Sequence, residues 1–301
     1  MIKFSKRYPK WKYFSGYLKL LKAHYLYFDH LKIDFKNPKK LGFLNMGGYQ
    51  ADLSKLRDIH KGKRVFIIAN GPSLQDIDMS LLKDEITIGC NGIYKAFDDW
   101  GFHTTYHMTE DQEQTELRGK EISTLKGPMK FAALHNAHAF SLCNDITFFH
   151  VPLRMNSSYY TQEGLYPQFS RDFASIVHLG STITYIMLQF AYHLGFKEVY
   201  IIGLDHNYGQ LPELFPPGKI EVTKENYHLV KQCHYDENYY KIGDVLGVPN
   251  VKLQESAYQA AKEYYEKDDR KIYNASTLSK LDIFEKVEFS SIFQKEKNCE
   301  K

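Results

Sequence analysis

Three short stretches set small polar residues directly after apolar runs. Residues 65–69, VFIIA, lead into Asn70, Gly71, Pro72 and Ser73; EITIGC leads into Asn91 and Gly92; EVYII leads into Gly203, Leu204, Asp205 and His206. A fourth stretch, HLGST, sets Gly180, Ser181 and Thr182 at the head of an apolar helix. Backbone N–H groups and hydroxyls at such points are ready donors to an anion, above all a phosphate. At the first turn, the N–H groups of Ser73 and Leu74 and the Ser73 hydroxyl are expected to face that anion. Gly71 would let it approach the backbone, and Pro72 would fix the first helical position. Without a ligand, the same residues read as a tight strand–helix turn capped by Ser73. The turn matches neither GxGxxG nor GxxxxGK[ST], which excludes a standard dinucleotide fingerprint and a P-loop.

Proton-transfer candidates are histidines. His234 lies in CHYDENYY beside Asp236, Tyr239 and Tyr240, and is the leading general base; His206, following Asp205 at a strand end, is held in reserve. His228 lies in the same irregular region as His234. In TEDQE, Glu110 and Asp111 have three open readings: Mg²⁺ ligands beside phosphates, partners of ribose hydroxyls, or acidic residues opening a helix. His135 and His138 lack a carboxylate cluster at zinc spacing and read as structural, so no metal site is assigned. The four cysteines, Cys90, Cys143, Cys233 and Cys299, form no CxxC pair. They read as reduced thiols of a cytoplasmic protein rather than a disulfide frame.

The elements that must position these groups form a repeating pattern. Short apolar strands are expected at residues 65–69, 85–91, 104–109, in KFAAL, in ITFFHV and in EVYIIG, and a last one in KIYNAS. Helices are expected at 74–82, 181–194 (ended by Gly195) and 254–267. Strands unbroken by polar residues and alternating with helices imply an α/β fold: a Rossmann-like, mainly parallel sheet with helices on both faces. Ligands of such sheets bind at the carboxyl ends of the strands, where the polar turns lie. Residues 207–250, rich in Pro, Gly, Tyr, Asn and His with weak periodicity, read as a flexible lid or as disorder. The resulting division is an N-terminal basic, aromatic helical segment (1–62), a nucleotide-binding catalytic domain (63–293) containing the lid, and a frayed polar tail (294–301).

The chain has 301 residues and a formal net charge of +3, which argues against a general nucleic-acid binder. It has no apolar run long enough to span a membrane, and its start lacks the apolar block of a secretory signal. KYFSGYLKLLKAHYLYFDHL, within residues 1–45, carries apolar residues at helical spacing with lysines between them. It fits either peripheral contact with the inner face of an anionic membrane or a helix packed on the main domain or in a homo-oligomer.

IIANGPSLQDID, ITIGCNGIY, LGFKEVYIIGLD and RKIYNAS, in that order, resemble a superfamily with two characterised branches. One is the bacterial sialyltransferases that use CMP-sialic acid and carry a G-N-G-P-S-L motif. The other is the 6-hydroxymethylpterin pyrophosphokinase-like proteins of archaea, with bacterial relatives in surface-polysaccharide and flagellin-glycosylation systems. The resemblance runs from about Lys63 to Phe293. It implies that Asn70, Gly71, Pro72 and Ser73 hold the nucleotide's phosphate and ribose side, that Asn91 contacts the nucleotide, and that Gly203 and Asp205 form the GxD strand end. It further implies that Tyr208, Tyr239 and Tyr240 are candidates to steady the leaving phosphate, and that Asn274, Ala275 and Ser276 face the base. Gly180 stands where the sialyltransferases have an arginine, which is closer to the pyrophosphokinase-like branch.

Three functions follow. The first is a glycosyltransferase taking a sugar from a nucleotide-sugar donor, with CMP favoured, to a cell-surface glycan acceptor, with no cofactor required. The second is an ATP-dependent diphosphotransferase, which would bring Mg²⁺ with the phosphates. The third is a non-catalytic nucleotide-binding protein.

Overall fold

The computed structural model describes residues 52–140, 145–151 and 167–297. The expected amphipathic segment at 1–45, Cys143 and Cys299 lie outside the described residues. The chain forms an eight-stranded sheet in the order β10-β9-β6-β1-β2-β3-β4-β5, every neighbouring pair parallel. Its strands are β1 (Arg64–Ile68), β2 (Thr87–Cys90), β3 (Tyr106–Thr109), β4 (Met129–Ala133), β5 (Ile146–Phe149), β6 (Glu198–Ile202), β9 (Lys271–Asn274) and β10 (Glu285–Lys286). A two-stranded antiparallel ribbon pairs β7 (Gly218–Glu221) with β8 (Val245–Val248).

Both faces of the sheet are covered, which is why its strands read as unbroken apolar runs. Along β1, Val65 and Ile67 point to one face while Phe66 and Ile68 point to the other. Beneath Val65 and Ile67 lie the helices after β5 and β8, through Tyr185, Met187, Phe190, Ala257, Tyr258 and Tyr265. Phe66 and Ile68 pack on Leu74, Met79 and Leu82 and on Phe289 and Ile292 of the last helix. The four longer helices are α1 (Gln112–Thr124), α2 (Ile183–His193), α3 (Val251–Lys267) and α4 (Phe289–Lys297). Gly195 ends the α2 region at φ 89°, a conformation that costs glycine little.

The helices α1 and α4 form where none of the expected helices lay, and three further features differ from expectation. Residues 74–82 form no α-helix: two 3₁₀ turns, Pro72–Asp76 and Met79–Leu82, are broken at Ile77 and Asp78. The Asp78 carboxylate takes the Ser80 N–H and hydroxyl, and this local bond restarts the chain in a new turn. Residues 207–250 are not structureless, for they hold β7, β8 and two one-turn helices around Leu211, Val222, Val230, Tyr239, Tyr240 and Leu246. The polar tail begins later than residue 294, because α4 continues to Lys297.

The winding of the sheet reverses between β1 and β6, the switch point where an open parallel sheet leaves a crevice. There the chain closes on itself. Gly71 N–H donates to the Gly203 carbonyl (2.9 Å), and a Cβ on Gly71 would lie 2.5 Å from that oxygen and 2.7 Å from Asp205 Oδ2. What approaches Gly71 closely is therefore the neighbouring strand end rather than a ligand. Gly71→Val should cost about 1–3 kcal/mol in denaturant melts through overpacking. Gly247→Ala, with nothing within 4 Å of its Cβ, should stay within about 0.5 kcal/mol of the parent. Equal stabilities would show that the β1–β6 closure tolerates a side chain.

Candidate functional site

A cavity of about 830 Å³ opens at the carboxyl ends of β1, β2, β3 and β6. One side is closed by α2 and α3, and the other by the 207–250 excursion, which contributes Lys219, Cys233, His234, Tyr239, Tyr240 and Leu246. Most of the residues expected to form a site meet here: Asn70, Gly71, Asn91, Glu110, Asp111, Ser181, Thr182, Gly203, Asp205, His206, Tyr208, His234, Tyr239 and Tyr240 all line it.

Six expected residues do not line it, and each has a structural task. Ser73 is buried, and its N–H (2.8 Å) and hydroxyl both donate to the Asp205 carboxylate. The anion held at the first turn is thus the protein's own. Pro72 opens a five-residue 3₁₀ turn rather than a helix with a developed dipole. A Cβ on Gly180 would collide with Tyr185 and Ala257, so that glycine serves packing. Asn274, Ala275 and Ser276 are buried behind β6 and do not face a base in the cavity. Ser276 Oγ accepts the Leu204 N–H (2.8 Å), and Asn274 Nδ2 donates to Ser279 Oγ, which donates in turn to the Leu204 carbonyl. With Lys280 N–H on the Asp205 carbonyl (2.8 Å), this network braces the strand end that carries Asp205 and His206.

Backbone conformation is unusual here too. Asn91 (φ 50°), Ser181 (φ 60°) and His206 (φ 48°) lie in the left-handed region, and all three line the cavity. Asn and His enter this region more readily than most residues, so Ser181 bears the larger cost; Asp58 and Asp269 share the conformation away from the cavity. Ser181 and Thr182 stand at the head of α2, where Thr182 Oγ1 accepts the Thr184 N–H and meets the Tyr258 hydroxyl.

The acidic pair divides its roles. Asp111 is the N-cap of α1, accepting the Gln114 N–H at 2.9 Å, and burial pushes its carboxyl up from the ordinary value. Glu110 lies 3.3 Å from His135 Nε2. Among the described residues, no group of three or more His, Cys, Asp or Glu side chains is arranged to hold a metal.

The tyrosines differ in what their hydroxyls can still do. Tyr208 donates to Gln254 Oε1 (2.9 Å), whose amide donates to the Ser181 carbonyl. Tyr239 accepts the Gly92 N–H (3.1 Å) and Tyr240 accepts Gln114 Nε2, so both keep a proton to donate. Burial pushes the Tyr239 hydroxyl up to about 12 and the Tyr240 hydroxyl well above its ordinary value, keeping both protonated. Behind Tyr239, the buried Arg118 guanidinium lies 4.2 Å from the ring centre and donates to the Tyr239 carbonyl.

His234 stacks on Tyr239 with ring centres 4.1 Å apart, and its Nδ1 has no hydrogen-bond partner. Burial and the Arg118 charge push it down to about 3. It is neutral at physiological pH and a weak proton acceptor, contrary to the leading role expected of it. Sequence reasoning missed Gln114, Lys219, Gln254 and Glu255. Each sits on a face that looks solvent-exposed until the chain folds, and their spacing carries no motif.

A family model described as 6-hydroxymethylpterin diphosphokinase MptE-like matches residues 44–210. The chain belongs to this MptE-like family. The MAf glycosyltransferase of Magnetospirillum magneticum AMB-1 is a similar solved structure, with TM-score 0.44 and 13% identity over 83% of this chain. The matched part is 39% of that protein's chain. No curated protein matches.

His107 and His178 are also pushed down by burial, to about 3 and about 4. Below the ordinary value of 6.5, the unfolded chain takes up protons that these folded histidines refuse. Their contribution is therefore full above about pH 6.5 and lost as pH falls toward 4, at up to about 1.4 kcal/mol per pH unit for each. His234→Phe, which keeps the ring stack, should flatten the fall in urea stability between pH 7 and pH 5 by up to one histidine's share. An unchanged slope would show that His234 protonates freely in the fold.

Proposed function

We propose that the chain is a nucleotide-dependent transferase, and that it moves a glycosyl group from a CMP-activated sugar to a glycan acceptor. The observation that carries this reading is the charge of the cavity wall. Among the described residues, Lys219 is the single lysine or arginine lining it, and its Nζ lies 2.6 Å from Glu113 Oε1. Glu110, Asp111 and Asp205 line the same space. A ligand with one phosphate can be held there by neutral donors. ATP would bring three phosphates to carboxylates without a free cation to balance them.

The neutral donors are in place. Tyr239 and Tyr240, whose hydroxyls accept Gly92 N–H and Gln114 Nε2 and so keep a proton to donate, line one side of the cavity, and the head of α2 with Ser181, Thr182 and Thr184 lines the other. Pre-aimed donors of this kind stabilise the charge that builds on a departing phosphate. Asn70, whose Oδ1 is buried without a partner, and Asn91 supply amide groups for the nucleoside. The motifs shared with the CMP-dependent sialyltransferases that do reach the cavity, around Asn70, Asn91 and Asp205, support a nucleotide donor, and CMP is carried over from that resemblance alone.

The family description favours a second reading, diphosphoryl transfer from ATP. Mg²⁺ would then have to join the phosphates to Glu110 and Asp111.

Calorimetry separates the two. CMP should bind without a divalent ion, and Tyr239→Phe should weaken it by about 1.5–3 kcal/mol, the range for a hydrogen bond to a charged group. ATP should bind weakly with or without Mg²⁺. Tight Mg²⁺-dependent ATP binding in the absence of CMP binding would establish the diphosphotransferase instead.

A further inference from the structure

We propose that His206 and Glu255 form a proton-accepting dyad, in which Glu255 fixes the imidazole tautomer so that the His206 Nδ1 lone pair faces the cavity. His206 follows Asp205 at the end of β6, and Glu255 lies in the second turn of α3. Their side chains meet with Nε2 3.3 Å from Glu255 Oε1. The imidazole is 3% exposed, while Glu255 is 46% exposed and reaches it from the solvent side. A carboxylate only accepts hydrogen bonds, so the Nε2 proton sits on the glutamate side and Nδ1 is left as the acceptor. Nδ1 is buried and has no hydrogen-bond partner.

Three further features mark this arrangement as one built for use. The left-handed φ of 48° at His206 is maintained although a histidine pays for it, and the network around Leu204 and Ser276 holds that backbone in place. The ring is fixed edge-on between Tyr208 and Tyr258, with centroids at 5.8 and 6.1 Å. It lines the cavity on the same strand end as Asp205, whose two carboxylate oxygens accept the Ser73 N–H and hydroxyl.

The chemistry rests on the transferase reading. An acceptor hydroxyl reaching Nδ1 gives up its proton to that nitrogen, and its oxygen electron pair forms the bond to the donor's anomeric carbon. The bond from that carbon to the phosphate oxygen breaks, and its electron pair leaves on the nucleotide. The imidazolium that results is balanced by Glu255 and later loses its proton to water. His206 is the catalytic group in this scheme, Glu255 is the positioning residue, and His234 lines the wall as a neutral stacked ring.

The test reads the tautomer before it reads turnover. Full-length protein labelled with ¹⁵N at its 13 histidines would be studied by long-range ¹H–¹⁵N correlation at neutral pH. The His206 signals are assigned by their loss in His206→Gln, or in His206→Asn if that variant fails to fold. We expect a single Nε2–H pattern in the parent and a mixture of tautomers in Glu255→Ala, whose half-exposed site tolerates truncation. An Nδ1–H pattern in the parent, or a pattern unmoved by Glu255→Ala, overturns the dyad. With a CMP-sugar donor, His206→Gln should lower turnover by about 10²–10⁴ while CMP affinity stays within about twofold. Parental turnover in His206→Gln overturns its role as the base. A correct tautomer in a protein that binds no CMP would instead overturn the transferase reading and leave the dyad standing.

Discussion

The Asp205 carboxylate, turned back onto the amide and hydroxyl of Ser73, ties the end of β6 to the end of β1 at the one place where the sheet changes its direction of winding. Both partners are buried, so the bond forms where losing it would leave a carboxylate without compensation. The rest of the site depends on that clamp. It fixes the Asn70-Gly71 turn under the cavity floor, and it holds the backbone from which His206 departs. The Asn274–Ser279 network then supports the same strand end from behind. A turn that looks made to receive a foreign phosphate is thereby closed by the protein's own anion. The polar groups left facing the cavity are those further out: Tyr239, Tyr240, the head of α2 and the amides of Asn70 and Asn91, which the proposed function uses for the ligand.

The 207–250 excursion is fixed to this floor and to α1 by a set of hydrogen bonds that includes Gly92 N–H on the Tyr239 hydroxyl and Arg118 on the Tyr239 carbonyl. Tyr235 N–H donates to the Asn70 carbonyl and its hydroxyl to the Gly92 carbonyl, while Gln75 donates to the Tyr235 carbonyl. Lys219 reaches Glu113 from the ribbon. These bonds set the cavity wall that carries His234 and Tyr239 directly on the turns after β1 and β2. The excursion has its own small apolar cluster, with Leu117 of α1 packed against it. Tyr235 packs both on this cluster and on the core layer over Phe66 and Ile68, so the excursion's inner face is positioned by the strand ends and by the core together.

What the sequence disclosed and what it hid follow from range. The central strands were legible because burial on both faces demands unbroken apolar runs, and α2 because its whole circumference is buried. The polar strand ends were legible because a parallel sheet aligns them, and most of those residues do meet in one cavity. The break at Ile77 and Asp78 was hidden, since a single carboxylate bonding two residues ahead is not a periodic signal. So was the ribbon of β7 and β8, whose short strands pair across a long connection that contains Asn226 and Tyr239. The role of the NAS turn was misread for a related reason. Asn, Ala and Ser at a strand end serve equally to meet a ligand or to satisfy a neighbouring backbone, and only the position of Leu204 decides between them.

The same distinction orders the histidines. In sequence, His234 looks better placed than His206, because it lies among tyrosines and an aspartate in a segment of lid composition. In the fold, those tyrosines and Arg118 bury it and favour its neutral form, while the neighbouring aspartate, Asp236, lies 3.7 Å from Lys95 instead. His206 is also buried between tyrosines, Tyr208 and Tyr258, but it meets a carboxylate instead of a guanidinium. Its carboxylate partner is 49 residues away on α3, and no local pattern could have shown it. A base needs a lone pair in the cavity and a counter-charge behind it, and these are properties of direction. At His206, direction is imposed by a left-handed backbone that a histidine adopts at a cost, on a strand end that Asp205 and Ser276 hold from two sides. The clamp that occupies Ser73 is thus also the constraint that fixes the strand end from which His206 enters the cavity wall.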